Sequence, residues 1–302
     1  KETVQVHGPY MELMEAEYGI LSDGTAVVEM ASCAGLPLVE DRKNPKKTTT
    51  YGVGELILAA AKAGSKRIIT GLGGSCTNDG GCGMAAALGI RFYDAQDREF
   101  VPTGGTLKEI RRIDMSRREK LLDQIELLAM CDITNPLTGP EGAAHVFSPQ
   151  KGADEGMIQE LEAGMVHYAS ILEQTVQIPK IRELPGGGAA GGMGTGMAAL
   201  LGAKLIPGIQ AVLDTVQIDT LAEHADLILT GEGKIDSQSI HGKVLSGIAR
   251  RGKALGIPVV AIAGGIDREA LPELYRDGLT AAFSINQLPE DFCVSRGKSK
   301  EN

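Results

Sequence analysis

The stretch Ile69–Gly83, ITGLGGSCTNDGGCG, constrains the fold of this chain more than any other. Glycine loses more backbone freedom on folding than any other residue, so such a run survives only where the chain must turn with positive φ or come very close to something. Polar residues, Thr77, Asn78 and Asp79, sit in the middle of it. A second cluster, LPGGGAAGGMGTG, follows at Leu184–Gly196. The 40 glycines show no collagen-like period and gather at the ends of apolar runs. That placement argues for loops at strand ends rather than for a fibrous or disordered chain.

The surrounding pattern is that of an α/β protein. Short strands are expected at Val4–Val6, Glu17–Ile20 and Thr25–Met30, joined by glycine-containing turns. A Thr-rich cap from Thr48 leads into GELILAAAKAG, with apolar residues at helical spacing and Gly64 as its C-cap. Arg67–Thr70 reads as a buried strand that runs into the glycine loop, and a short helix over Gly83–Leu88 follows. IELLAMCDITNPLTGPEG repeats the theme, with a strand entering a loop at Asp132–Gly142, and Asp154–Gln174 reads as a polar helix. Towards the C-terminus, ADLILTGEGK, VLSGIARRGKALG, IPVVAIAGG, Asp267–Arg276 and LTAAFSI alternate strand and helix. Such βαβαβ alternation implies a parallel sheet. The expected boundary lies near Leu205–Ile209, with a mixed α/β domain over 1–205 and a parallel-sheet region over 206–302.

Composition excludes several classes. A net charge of −9 and short basic runs such as Arg111-Arg112 argue against a nucleic-acid binder. Five cysteines form no CxxC pair, which disfavours structural zinc or a disulfide framework and points to reduced thiols in a cytoplasmic setting. No apolar run approaches the roughly 18 residues a membrane span needs. Oligomeric state is not legible, so a homo-oligomer stays open.

Three strands end in glycine-rich loops at Gly71, Gly231 and Gly264. In open parallel sheets, ligands bind outside the carboxyl ends of the strands. The candidate residues are Asn78 and Asp79 in the first loop, Asp132 and Asn135 after the next strand, and Glu232, Lys234, Asp236, His241 and Lys243 in GEGKIDSQSIHGK. Acids beside bare backbone suit a divalent cation, and amides and lysines suit phosphate charge. A lone Asp in a turn more often bonds its own backbone, so the combination carries the argument. There is no GxxxxGK[ST] motif. GxGxxA matches at Gly81–Ala86 and Gly194–Ala199 leave a dinucleotide-dependent oxidoreductase as a rival reading.

In order, GLGGSCTNDGGCGM, CDITNPLTGPEGA, LPGGGAAGGMGTG and LILTGEGKIDSQSIHGK closely resemble the motifs of the bacterial glycerate kinase family, type I, and KTTTYGVGELILAA and FSPQKGA extend the likeness. The resemblance implies transfer of the ATP γ-phosphoryl group, with Mg²⁺, to glycerate, usually at the 2-hydroxyl, in organic-acid catabolism. It implies two α/β domains, one Rossmann- or flavodoxin-like and the other inserted into it, with the active site between them. Region 206–302 would then be the C-terminal part of the Rossmann-like domain. The family's N-terminal segment, with its Asp-Ser-x-Lys and Asp-Gly-Gly-Glu-Gly motifs, is not in this sequence. That keeps a non-catalytic hydroxyacid sensor or fragment as an alternative. With the family as guide, Gly73, Gly74 and Ser75 are expected to hold anionic oxygens, and Asn78 and Asp79 to orient substrate or metal. Asp236 is expected as base or metal ligand, Glu232 to support magnesium and Lys243 to offset phosphate charge, with Asp132, Asn135 and His241 as further binding candidates.

Overall fold

The computed structural model describes residues 1–239 and 244–286. The chain divides into two compact units, the first Lys1–Ile206 and the second beginning at Pro207. The first opens with an antiparallel meander of β1 (Glu2–His7), β2 (Leu13–Ile20) and β3 (Ala26–Glu29). In β2, Ala16 and Tyr18 are buried while Glu15 and Glu17 are exposed. That period-two alternation belongs to a strand with one wet face.

Helix α1 (Ala31–Ala34) and helix α2 (Tyr51–Lys62) come next. Helix α2 buries Val53, Leu56, Ile57, Ala60 and Ala61, a stripe at helical spacing. It ends before Gly64, which takes the left-handed φ of 95° that a β-carbon resists. Strand β4 (Arg67–Gly71) follows, then helix α3 (Cys82–Ala87). Ile68 and Ile69 of β4 are both buried, as a central strand of a parallel sheet requires. The segment after α3, given no elements above, forms a small antiparallel sheet of β5 (Arg91–Tyr93), β6 (Glu99–Phe100) and β7 (Arg112–Asp114).

Strand β8 (Glu126–Met130) returns to the main sheet, and helix α4 (Ala143–Phe147) and helix α5 (Glu155–Val176) follow. Helix α5 is capped by the Asp154 carboxylate, which accepts from the Met157 N–H at 2.8 Å. The second glycine cluster, read above only as a glycine-rich segment, is largely helical: α6 (Ala189–Leu201) leads to β9 (Lys204–Ile206). The main sheet has the order β1-β2-β3-β4-β8-β9, with β3, β4, β8 and β9 parallel. Gly71 lies opposite Met130, so the loops leaving β4 and β8 emerge side by side at one edge.

The second unit carries helices α7 (Gly208–Thr215) and α8 (Ile218–Leu221), then strand β10 (Ile228–Glu232), helix α9 (Val244–Leu255), strand β11 (Val259–Ala263), helix α10 (Leu271–Asp277) and strand β12 (Leu279–Ser284). Its three strands among the described residues are parallel in the order β10-β11-β12, as the alternation of the sequence implies. Leu245, Ala249, Val259, Ala261, Leu274 and Leu279 form its core.

Candidate functional site

The loop after β4 is pinned at almost every step beyond its tip. The Cys76 N–H donates to the Ala34 carbonyl at 2.9 Å, and the Gly74 carbonyl accepts from the Leu36 N–H at 2.8 Å. Thr48 Oγ1 donates to the Cys76 carbonyl at 2.9 Å. Lys151 Nζ donates to the Thr77 carbonyl at 2.6 Å and to Ser75 Oγ at 2.8 Å. The tip itself, Gly73-Gly74, is exposed, and its N–H groups meet no protein acceptor among the described residues. Gly74 takes φ 70°, whereas an added β-carbon at Gly73 would meet nothing within 4 Å. Nothing among the described residues asks for glycine at position 73. An anion approaching bare N–H groups would.

Asp79 and Asn78, which the sequence presents as equals, are placed very differently. Both are fully buried. The Asp79 carboxylate accepts from the Thr50 N–H at 2.8 Å, Thr50 Oγ1 at 2.9 Å, the Gly81 N–H at 3.1 Å and the Gly83 N–H at 3.2 Å. Thr50 opens α2 and Gly81 opens α3, so one carboxylate caps two helix starts. Burial pushes the Asp79 carboxyl up, and the Thr50, Gly81 and Gly83 donors oppose that by favouring its charge. The carboxylate has no exposed surface in this arrangement. Expected from the sequence to orient substrate or metal, it braces the starts of α2 and α3 here. Asn78 has no hydrogen-bond partner for either side-chain amide atom among the described residues. Leaving a buried polar group unpaired costs about 1–3 kcal/mol, so such an amide is a ready binder for a polar group that reaches it.

The second glycine cluster fits beneath this loop. Ala190, Gly191 and Gly192 take φ values of 55°, 68° and 89°, and the Gly191 carbonyl accepts from the Gly80 N–H at 2.9 Å. A β-carbon on Gly191 would lie 2.1 Å from the Thr77 carbonyl oxygen, and one on Gly196 would lie 2.4 Å from that of Gly80. The Gly188 N–H donates to the Asn135 carbonyl at 3.0 Å, tying the loop after β8 to the same strap. Asn135 Nδ2 donates to the Glu141 carbonyl at 2.8 Å, and Asp132 is exposed next to the strand end. The glycines of both GxGxxA matches serve this packing: a β-carbon on Gly83 would fall 2.1 Å from Thr49 Oγ1, and one on Gly194 would fall 2.4 Å from the Gly186 carbonyl. The basis of the dinucleotide reading is thus spent on close backbone contact.

Lys151, passed over in the sequence except as part of FSPQKGA, is the least expected member of the site. Its side chain is buried, and burial pushes its ammonium down to about 8, partly offset by Cys76 and Asp79. Burial also raises the Cys76 thiol to about 12, which makes it a poor nucleophile.

In the second unit, Ser239 Oγ donates to Glu232 Oε2 at 2.7 Å and lies 3.3 Å from the Asp236 N–H. Ser239, another residue not singled out in the sequence, thus draws Glu232 and Asp236 into one turn. Among the described residues, an added β-carbon on the adjacent Gly233 would meet nothing within 4 Å. No group of three or more metal-ligating side chains occurs among the described residues. His241 and Lys243 lie outside the described residues.

Comparison with known proteins agrees with these motifs. The family model described as the glycerate kinase family matches residues 1–302. The chain is 47% identical to a glycerate kinase of Bacillus cereus over 299 residues, covering 98% of this chain and 78% of that one. It is 43% identical to the glycerate 2-kinase of Escherichia coli K12, covering 93% of this chain and 74% of the relative. A crystal structure from Salmonella typhimurium LT2, provisionally named a glycerate kinase 2, superposes with a TM-score of 0.81 at 44% identity, covering 94% and 74% of the two chains. The chain belongs to the glycerate kinase family.

Proposed function

We propose that this protein transfers the γ-phosphoryl group of ATP to the 2-hydroxyl of D-glycerate, with Mg²⁺, in the cytoplasm. ATP-dependent phosphoryl transfer follows from the family, and the glycerate 2-kinase among its relatives supports the choice of hydroxyl. The single observation in the fold that carries the reading is the exposed Gly73-Gly74 tip, whose N–H groups have no acceptor among the described residues and which stands at the carboxyl edge of a parallel sheet, beside Ser75. Phosphoryl transfer asks a protein mainly for positioning and for charge stabilisation in a site of this kind.

In this reading Gly73, Gly74 and Ser75 bind anionic oxygens, and the unpartnered Asn78 amide bonds a polar group of the substrate. Asp79 acts indirectly, by holding the loop between α2 and α3. Asp132 and Asn135 line the neighbouring strand end. Glu232 and Asp236 offer hard carboxylate oxygens in one loop, where Ser239 ties the Glu232 carboxylate to the Asp236 backbone N–H, and Mg²⁺ is typically held by one or two carboxylates plus substrate phosphates. Bound there, Mg²⁺ would neutralise charge developing on the phosphates. Asp236 alternatively accepts the proton of the attacking hydroxyl. Lys243 and His241 remain the candidates for offsetting phosphate charge and binding substrate.

The test is release of ADP from ATP on addition of D-glycerate and Mg²⁺, with the product identified by phosphorus NMR. 2-Phosphoglycerate is expected. 3-Phosphoglycerate would move the acceptor to the other hydroxyl, and NAD-linked oxidation without ATP turnover would overturn the kinase reading. Glu232→Gln and Asp236→Asn are expected to raise the Mg²⁺ concentration needed for half-maximal rate. An unchanged requirement in both would remove them from the metal site.

A further inference from the structure

Lys151 ends a short 3₁₀ turn, Pro149–Lys151, and Gly152 follows with φ 92°, its backbone close against Lys43. That turn delivers a lysine side chain to the interior. A buried ammonium is expensive to keep, because burial disfavours its charged form. The loop it touches does not need it for shape alone, since Ala34, Leu36, Thr48 and Asp79 already hold the segment from Gly74 to Asp79. Besides its 2.6 Å bond to the Thr77 carbonyl, Lys151 places a charge beside one hydroxyl, with Nζ 2.8 Å from Ser75 Oγ.

A serine hydroxyl has one proton to give and two lone pairs to offer. In Ser75 a lone pair takes the Lys151 proton, so the hydroxyl's own proton has to point elsewhere. No protein acceptor for it is found among the described residues. Ser75 keeps 7% of its surface exposed, next to the exposed Gly73-Gly74 tip. A hydroxyl that accepts from a cation is also a stronger donor, because hydrogen bonds in a chain polarise one another.

We infer that Lys151 is a positioning residue for anion binding: its ammonium holds and polarises Ser75 so that the Ser75 hydroxyl donates, beside the Gly73 and Gly74 amides, to an anionic oxygen of bound substrate. The oxygen belongs either to the glycerate carboxylate or to an ATP phosphate, both of which present the same chemistry. The inference rests on the proposed function only in taking this tip as the anion site.

The experiment is a double-mutant cycle on the full chain, with Ser75→Ala, Lys151→Met and the pair, measuring kcat, KM for each substrate and Tm. Ser75→Ala should raise one KM by about tenfold to a hundredfold, the usual worth of a hydrogen bond to a charged group. The substrate whose KM moves identifies the source of the oxygen. Lys151→Met should raise the same KM, and the double variant should lie within about threefold of Ser75→Ala, since two residues acting as one do not add. Lys151→Gln keeps a neutral donor and loses the charge, so its KM should rise by about threefold. It carries the same cycle if the methionine variant does not fold.

A Lys151 variant with lowered Tm and unchanged KM values would overturn the inference, as would effects that multiply with Ser75→Ala. If Ser75→Ala itself moves neither KM, it is the anion-site reading of the tip that has failed.

Discussion

Replacing Asp79 separates bracing from chemistry. In Asp79→Ala, the N–H groups of Thr50, Gly81 and Gly83 lose their acceptor in a place without solvent, while Thr50 Oγ1 can turn away. At about 1–3 kcal/mol for each stranded buried donor, with some relief from relaxation and entering water, the expected loss is about 3–6 kcal/mol. That is a large share of the roughly 5–15 kcal/mol that holds a typical domain together. Asp79→Asn keeps one oxygen for Thr50 and Gly83 but turns a donor towards another donor, for a loss of about 1–3 kcal/mol. Denaturant unfolding gives the totals. Hydrogen exchange read by mass spectrometry locates them, with protection expected to fall first at the starts of α2 and α3. An Asp79→Ala protein as stable as the parent to within about 1 kcal/mol, with both helix starts still protected, would refute the bracing argument. Should that protein also be inactive, Asp79 would belong in direct contact with the reacting groups.

Other outcomes follow from the same geometry. Gly191→Ala should unfold the first unit or cost it more than about 3 kcal/mol, because the new β-carbon would meet the Thr77 carbonyl at 2.1 Å and the residue holds φ 68°; a normal Tm would contradict the packing described. Gly73→Ala should leave Tm unchanged or raise it by about 1–4 °C yet lower kcat/KM at least tenfold, about 1.4 kcal/mol of lost approach to the anion; full activity would take the tip out of the site. The depressed Lys151 pKa of about 8 means that between roughly pH 8 and 10.5 the unfolded chain binds more protons at this lysine than the folded one does. This group's contribution to stability therefore rises with pH across that window. Cys76, whose thiol burial raises from 9.0 to about 12, titrates in this window only in the unfolded chain and lowers stability there in parent and Lys151 variant alike, so it drops out of the comparison between them. Compared with Lys151→Met in denaturant unfolding, the parent should gain relative stability from pH 8 to 10, and a flat difference would mean that the ammonium is not strained by burial.

Local periodicity reads what is local. The β4-loop-α3 order, the stripe of α2, the Asp154 cap of α5 and the parallel alternation of the second unit all follow from residues within a few positions of one another. The missed features depend on partners far apart in the chain. Asp79 meets Thr50 across 29 positions and Lys151 meets Ser75 across 76, so no spacing rule in either segment announces them. Lys151 resembles any surface lysine until its turn buries it. The α6 cluster misleads in the opposite sense: glycine disfavours a helix, yet only residues this small let it pass against Thr77 and Gly80.

The glycines that drew attention first can now be sorted by cause. Gly80, Gly81, Gly191 and Gly192 have both positive φ and close neighbours, and Gly83, Gly194 and Gly196 have close neighbours alone, so the fold accounts for all of them. Among the described residues Gly73 and Gly233 have neither, and each stands in a candidate loop directly after a parallel strand, β4 in one unit and β10 in the other. A position that tolerates a β-carbon sterically and conformationally gains stability from alanine, because the unfolded chain then has fewer states to lose. Glycine kept at such a position points to something outside the fold that needs the space, and in a phosphoryl-transfer site the oxygens of the ligand are the natural occupant.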